Sequence, residues 1–319
     1  MLRGMDERAP ARDKSRLHED IRRRRRAVLI VNVRSRRGAR NFRTARRLLD
    51  QAGFTVSSAH AVMRPGRLAD RIRKALSSRP DLIVVGGGDG TIATAAGLLA
   101  HADAALGVLP LGTTNNFARS LGLPMDLAGA IAVLRDGKVA DVDLGEAGGA
   151  VFANMLSMGL SVEVAGKVPH RLKRIIGRPA YPIAALFALP KHRPFRARLT
   201  YGDETVEADT HQLNVANGAY HHGRRIARDA TVDDRLLTVY RLGDAGRLRV
   251  TAATVRHALR GPWLSQYAEP FVTTGRVRIE TEPPVRVSID GEIRARTPLD
   301  VAVAPNALYA MVPDGFTDD

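Results

Sequence analysis

The stretch DLIVVGGGDGTIATAAGLL runs from Asp81 to Leu99 and places one carboxylate, Asp89, among four glycines. Glycines at the end of a strand let a ligand approach the backbone closely. A helix beginning just beyond them adds free N–H groups and partial positive charge, a combination that suits phosphate. Gly86, Gly87, Gly88, Gly90 and Thr91 are therefore candidate phosphate contacts. The loop has no lysine, and its spacing is neither that of the P-loop nor that of the dinucleotide fingerprint. A tight turn without ligand is the alternative, but three consecutive glycines exceed what such a turn needs. A carboxylate within an anion site calls for a cation or a proton. Bound Mg²⁺ and a part in proton transfer both account for Asp89.

A second stretch, Leu109-Pro-Leu-Gly-Thr-Thr-Asn-Asn-Phe-Ala-Arg119, follows the next apolar strand. It lies at the same carboxyl edge, where open α/β sheets bind ligands. Gly112 and Thr113 can approach a phosphate. Asn115 and Asn116 admit two readings, capping of the next helix or ligand contact. A third stretch, Val287-Ser-Ile-Asp-Gly-Glu292, reads as a hairpin turn bearing two carboxylates, Asp290 and Glu292.

The elements that must position these loops follow from periodicity. Apolar strands are predicted at Ala27–Val33, Phe54–Ala61, Asp81–Val85 and Leu106–Leu109. Helices are predicted at Ala39–Ala52, Leu68–Ser77 and Thr91–Ala100. This alternation predicts a parallel sheet with helices on both faces, a doubly wound α/β nucleotide-binding domain over residues 27–140. From about residue 141 to 305 short alternating runs dominate, including Phe195–Tyr201, Gln212–Asn217, Arg276–Glu280 and Val285–Ile289. They predict a C-terminal antiparallel β-sandwich domain, interrupted by helical stretches at Val164–Leu189 and Leu248–Leu259. Residues 1–26 read as a basic flexible tail, poorly ordered or a frayed helix, ending in Arg22–Arg26, and 306–319 as a C-terminal segment returning to the first domain.

The 319 residues carry 49 Lys and Arg against 33 Asp and Glu, a formal net charge of +16. Such a surplus attracts polyanions. Only 5% of residues are aromatic and no basic-aromatic platform is visible, which argues against nucleic acid as partner. An anionic membrane surface touched peripherally fits the charge better. There is no cysteine, so disulfides and thiolate metal sites are excluded. No apolar run is long enough to span a bilayer. The expectation is a cytoplasmic protein with peripheral membrane association.

Taken in order, further motifs join these: Phe117-Ala-Arg-Ser-Leu-Gly-Leu-Pro124, Leu172-Lys-Arg-Ile-Ile-Gly177 with Tyr181, Asn217-Gly218 with Tyr220, Val232-Asp-Asp-Arg-Leu-Leu237 and Thr297-Pro298. From Ala27 to Pro313 the chain resembles the diacylglycerol kinase catalytic family, in particular its soluble bacterial lipid kinases. The glycine loop alone is shared with NAD kinases and phosphofructokinases; the order and spacing of the set are specific. The resemblance implies an ATP-dependent kinase acting on a lipid hydroxyl, with diacylglycerol or a related lipid as substrate. A sphingoid or ceramide kinase and a nucleotide- or lipid-binding protein that has lost catalysis are the alternatives. The resemblance allows a homodimer. Gly87 to Thr91 and Thr113 match the nucleotide contacts, and Asn32 lies near the phosphates. Glu292 matches the general base with Asp290 beside it, and Asp89 competes for that role. Asp234, flanked by the carbonyls of Thr231 and Leu236, matches a cation site, with Mg²⁺ as the expected ion. The chain departs from the family pattern at Val33, Val62, Asn116, Arg235 and His221-His222-Gly223.

Overall fold

The computed structural model describes residues 13–318 except 36, 65, 168–192, 219, 222–223, 226–230 and 243–267. In chain order the elements are α1 (Lys14–Arg24), β1 (Arg26–Asn32), α2 (Gly38–Gln51), β2 (Thr55–Val62), α3 (Gly66–Leu76), β3 (Leu82–Gly87), α4 (Asp89–Leu99), β4 (Ala105–Pro110), α5 (Asn116–Ser120), α6 (Leu127–Asp136) and β5 (Lys138–Ala147). They continue with β6 (Ala150–Phe152), β7 (Met155–Gly159), α7 (Leu160–Lys167), β8 (Phe195–Tyr201), β9 (Glu204–Thr210), β10 (Gln212–Asn217), β11 (Tyr220–His221) and β12 (Arg224–Arg225). The last are β13 (Leu237–Leu242), β14 (Ala268–Thr274), β15 (Arg276–Glu282), β16 (Arg286–Ile289), β17 (Glu292–Arg296) and β18 (Leu299–Val312). The chain divides into two compact units, Met1–Asp143 with Pro305–Asp319, and Leu144–Ala304. One unit is mixed α/β and the other antiparallel β, the fold class implied by the sequence.

In the first unit the strands run in the order β2-β1-β3-β4, all parallel, with Ala310 of β18 paired in parallel to Leu106 of β4. Every residue of β3 and β4 is buried, as a sheet covered on both faces requires. Side chains alternate along β1. Ala27, Leu29 and Val31 share one core with Leu49 of α2 and with Ile131 and Leu134 of α6. The other face of the sheet is covered by α3 and α4. The connection from β1 runs through α2 to β2, and that from β3 runs through α4 to β4 on the opposite side. The order thus reverses between the carboxyl ends of β1 and β3, the crevice where such sheets bind ligands.

In the second unit, β14-β13-β10-β7-β16-β17 form a six-stranded sheet, each strand antiparallel to its neighbours. Strands β8, β9, β15 and the first half of β18 pair antiparallel in another sheet. Leu156, Met158, Val215, Val239 and Val287 of the first share a core with Phe195, Leu199, Val277, Ile279 and Val301 of the second. This is the inward face of a sandwich. On the outer face of β8 and β15, Arg198 pairs with Glu207 and Arg278 with Asp300. The helix expected from Val164 starts earlier, as α7, and the rest of that stretch lies outside the described residues. So do the helix expected at Leu248–Leu259, the Leu172–Gly177 motif and Tyr181.

Residues 14–24 depart from the expected flexible tail. They form α1, whose Leu17 and Ile21 are fully buried in the core beneath β1. Lys14 donates to Asp141 at 2.5 Å and to Asp318 at 2.7 Å, so one ammonium ties α1 to β5 and to the C-terminal segment. Burial pulls the Lys14 pKa down, but the two carboxylates outweigh it and hold it above the usual lysine range. At Asp141 burial pushes upward, and the Lys14 ammonium prevails and holds the carboxyl below its usual value. Lys14→Met is expected to cost about 1–3 kcal/mol, because two half-buried carboxylates lose their shared partner. The depressed Asp141 contributes stability above its unfolded pKa, and that contribution is lost as pH falls through its lower folded value. The urea midpoints of wild type and variant should therefore stay apart from neutral pH down to the ordinary aspartate range and converge only below it, as pH falls through the depressed Asp141 value. A gap that persists in acid would place the loss in packing.

Candidate active site

Three segments meet at the crevice of the first unit. β1 ends at Asn32, whose Nδ2 donates to Thr91 Oγ1 at 2.9 Å. β3 ends in the glycine loop, and α4 starts at Asp89 with Gly88 as its N-cap. The helix therefore begins two residues before the predicted Thr91. Thr91 and Ile92 N–H donate to Gly88 O at 2.9 and 3.1 Å, while the Asp89 and Gly90 amides at the very start have no acceptor further back in the helix. The third segment, the loop after β4, is bound to the glycine loop by Leu111 N–H donating to Gly87 O at 3.0 Å. A Cβ on Gly112 would lie 2.4 Å from Gly88 Cα, so the two loops touch backbone to backbone and only glycine fits at 112.

Asp89 faces the second loop. Its carboxylate accepts from the Thr114 hydroxyl, from Asn115 N–H at 3.1 Å and from Asn116 N–H at 2.5 Å. Asn115 sits at the N-cap position of α5 with left-handed backbone, φ 50, yet its side chain does not cap. Its Oδ1 accepts from Gly112 N–H at 2.9 Å and its Nδ2 donates to Gly112 O at 3.1 Å. Arg119 Nε closes the loop by donating to Thr114 O at 2.9 Å. Thr113 is exposed. Beside Gly112 lies a cleft of about 470 Å³, lined among others by Ser35, Arg37, Asn41, Leu111, Met125 and Leu127. Pockets of this size hold small molecules and cofactors.

The second unit carries the other carboxylates. β16 and β17 form the expected hairpin, with Asp290 and Gly291 in the turn at φ 46 and 91. Both residues are left-handed, as a two-residue turn between twisted strands demands. Asp290 is half-buried, and its carboxylate accepts from Ala153 N–H at 2.8 Å and from Asn154 and Met155 N–H at 3.0 Å each. Its own N–H donates to Met155 O at 2.8 Å. Burial pushes the Asp290 pKa up against the three amides that pull it down. Asn217 holds the same segment from the other side, donating to Asn154 O at 3.0 Å and Ala153 O at 3.3 Å. Glu292 is exposed, and its Oε2 accepts from Arg294 at 2.6 Å.

The Asp234 carboxylate accepts from Thr231 N–H at 2.8 Å and Leu236 N–H at 3.0 Å, and Arg235 between them is left-handed at φ 58. The loop thus closes on its own amides. No cluster of three His, Asp or Glu side chains suited to a metal is present among the described residues. Sequence reasoning missed Thr114 and Asn154. Thr114 carries a signal in the doubled threonine of the second loop; Asn154 acts through its backbone and carries none.

A model of the diacylglycerol kinase catalytic domain matches residues 26–147, and one of the YegS C-terminal NAD kinase beta sandwich-like domain matches 154–312. The probable lipid kinase YegS-like of Pseudomonas aeruginosa is 32% identical over 250 residues, covering 76% of this chain and 80% of that protein. The chain belongs to the diacylglycerol kinase catalytic domain family. As an enzyme it is placed among the lipid kinases. A diacylglycerol kinase of Bacillus subtilis is 28% identical over 269 residues, covering 83% of this chain and 88% of that protein. The crystal structure of a diacylglycerol kinase from Bacillus anthracis superposes with a TM-score of 0.72 at 25% identity, over 90% of this chain and 97% of the other. The catalytic-domain match contains Asn32, both loops and Asp89; the second match contains Asp234, Asp290 and Glu292.

Proposed function

We propose that the chain transfers the γ-phosphoryl group of ATP to the hydroxyl of diacylglycerol or a closely related lipid. The observation that carries this reading is the pair of backbone-tied loops at the sheet crevice, inside the segment matched to the diacylglycerol kinase catalytic domain. Gly86, Gly87, Gly88, Gly90 and Thr91 receive the phosphates with Gly112 and Thr113, at the positive end of α4. Asn32 orients Thr91, and Asn115 shapes Gly112. Phosphoryl transfer is chiefly positioning and charge neutralisation. Glu292 accepts the lipid hydroxyl proton as that oxygen bonds to the γ-phosphorus and the bond to ADP breaks. Mg²⁺ enters with ATP as part of the substrate. Each Asp234 oxygen accepts one amide of its own loop, from Thr231 and Leu236, and among the described residues Asp234 joins no cluster of three His, Asp or Glu that would hold a resident cation.

The net charge of +16 supports peripheral contact with an anionic membrane. No helix among the described residues is long and apolar enough to cross one.

The test is phosphate transfer from γ-labelled ATP to micelles of diacylglycerol, monoacylglycerol, ceramide, sphingosine or phosphatidylglycerol. Transfer to diacylglycerol is expected, faster on anionic vesicles and slower as salt rises. Transfer confined to ceramide or sphingosine would assign a sphingolipid kinase instead. Nucleotide binding without transfer to any lipid would overturn the kinase reading.

A further inference from the structure

We infer that Asp89 is a positioning residue that caps the second loop and holds it against the glycine loop. The inference rests on the kinase reading above and departs from a role for Asp89 in collecting the substrate proton.

The helix α5 begins at Asn116, and its first amides need an acceptor. The residue at its N-cap cannot supply one, because the Asn115 side chain is turned back onto Gly112 at 2.9 and 3.1 Å. The acceptor comes from another element. Asp89, first residue of α4, takes Asn116 N–H on Oδ1 and Asn115 N–H on Oδ2, 27 and 26 residues away in sequence. The Thr114 hydroxyl donates to the same Oδ2. A carboxylate offers about four acceptor sites, and three are met by these donors. A proton taken from a substrate hydroxyl would remove the negative charge that strengthens all three of these hydrogen bonds.

The tie also explains why a carboxylate belongs in an anion site. Asp89 lies at the positive end of α4, where negative charge is favourable. Its oxygens are engaged by 114–116, so they do not take up the Asp89 and Gly90 amides at the start of α4. With Leu111 bonded to Gly87 and Gly112 against Gly88, the Asp89 contacts make the third attachment between the loops. They fix Gly112 and Thr113 relative to Gly86–Thr91. Loss of the tie should therefore appear first in nucleotide affinity.

The experiment compares Asp89→Asn, Asp89→Ala, Thr114→Val and the Asp89→Ala/Thr114→Val double variant. Each is measured for binding of a fluorescent ADP analogue and for kcat and KM for ATP in lipid phosphorylation. Asp89→Ala should weaken nucleotide binding about ten- to a hundredfold, as lost charge-assisted hydrogen bonds do. Thr114→Val should move the same parameter in the same direction, and the double variant should be no worse than Asp89→Ala, because one tie is broken in each. Asp89→Asn keeps an acceptor for Asn116 N–H and can donate to Thr114, so it should recover part of both affinity and turnover. A proton acceptor predicts the reverse: Asn and Ala equally inactive, nucleotide affinity unchanged, and Thr114→Val close to wild type. That pattern would overturn the inference. The binding arm needs no lipid, so a chain that binds nucleotide but phosphorylates nothing fails the kinase reading while the tie is still measured. A wild-type chain that binds no nucleotide would overturn both.

Discussion

Glu292→Gln is expected to lower the rate of lipid phosphorylation by about a hundred- to ten-thousandfold, the usual contribution of a positioned base. Of the three carboxylates that the sequence offers for the role, Asp89 and Asp290 each accept three hydrogen bonds from their surroundings, and Glu292 meets solvent. Its one ion-pair partner is Arg294, two residues along the same strand, which occupies Oε2. Glutamine keeps the shape and an acceptor oxygen but cannot collect a proton at neutral pH. The side chain of Glu292 is 65% exposed, so the change should leave folding within about 0.5 kcal/mol. Binding of an ADP analogue should also be unchanged, since the phosphate loops lie elsewhere in the chain. The defect should thus fall on kcat with KM for ATP unmoved. A Glu292→Gln enzyme within about threefold of wild type in kcat would remove Glu292 from proton transfer, because a loss so small is far below what a base contributes.

Much of the fold was legible because its signals are local. β1, β3 and β4 are continuous apolar runs between helical patterns, and a parallel sheet buried on both faces produces that pattern. Strands such as β8 and β15 alternate because one face is packed and the other wet. The glycine loop was legible for the same reason: its glycines answer to a close backbone approach within the segment itself, although the partner, Gly112, lies 24 residues on. α1 was hidden. Its two core residues, Leu17 and Ile21, sit one helical turn apart amid charge, and the mean pattern reads as a solvated tail. What identifies it is the core beneath β1 and the two carboxylates that meet Lys14, 127 and 304 residues away. Helix starts were read late at α4 because Asp89 resembles a loop residue until its acceptor role is known. The carboxylates show the general limit. Residue type and the glycine loop single out Asp89, and only the family resemblance adds Asp290 and Glu292 to a stretch that otherwise reads as a hairpin turn. What separates them is which donors reach each one, and for Asp290 those donors come from 135 to 137 positions away. A backbone N–H has no residue identity, so no sequence pattern announces it.

Asp290 should behave differently from Glu292 in both stability and activity. Asp290→Ala removes the acceptor of the amides of buried Ala153 and Asn154 and of half-buried Met155. A buried donor left without a partner costs about 1–3 kcal/mol, so three of them make a loss of about 3 kcal/mol or more the expected result. Asp290→Asn retains one oxygen and turns an NH₂ toward N–H groups, and should fall between Ala and wild type. Both changes loosen the turn that launches β17, and with it the Glu292 side chain two residues on. Turnover should drop in step with stability, whereas Glu292→Gln loses turnover alone. Urea midpoints measured beside kcat for the three variants separate the roles. If Asp290→Asn were as stable as wild type yet inactive, Asp290 would be taking part in the chemistry directly. If Asp290→Ala were both stable and active, the three amides would have found other acceptors and the turn would not depend on them. The expected ordering, with stability and rate falling together from aspartate to asparagine to alanine, follows from one carboxylate holding both the strand start at 153–155 and the hairpin that carries Glu292.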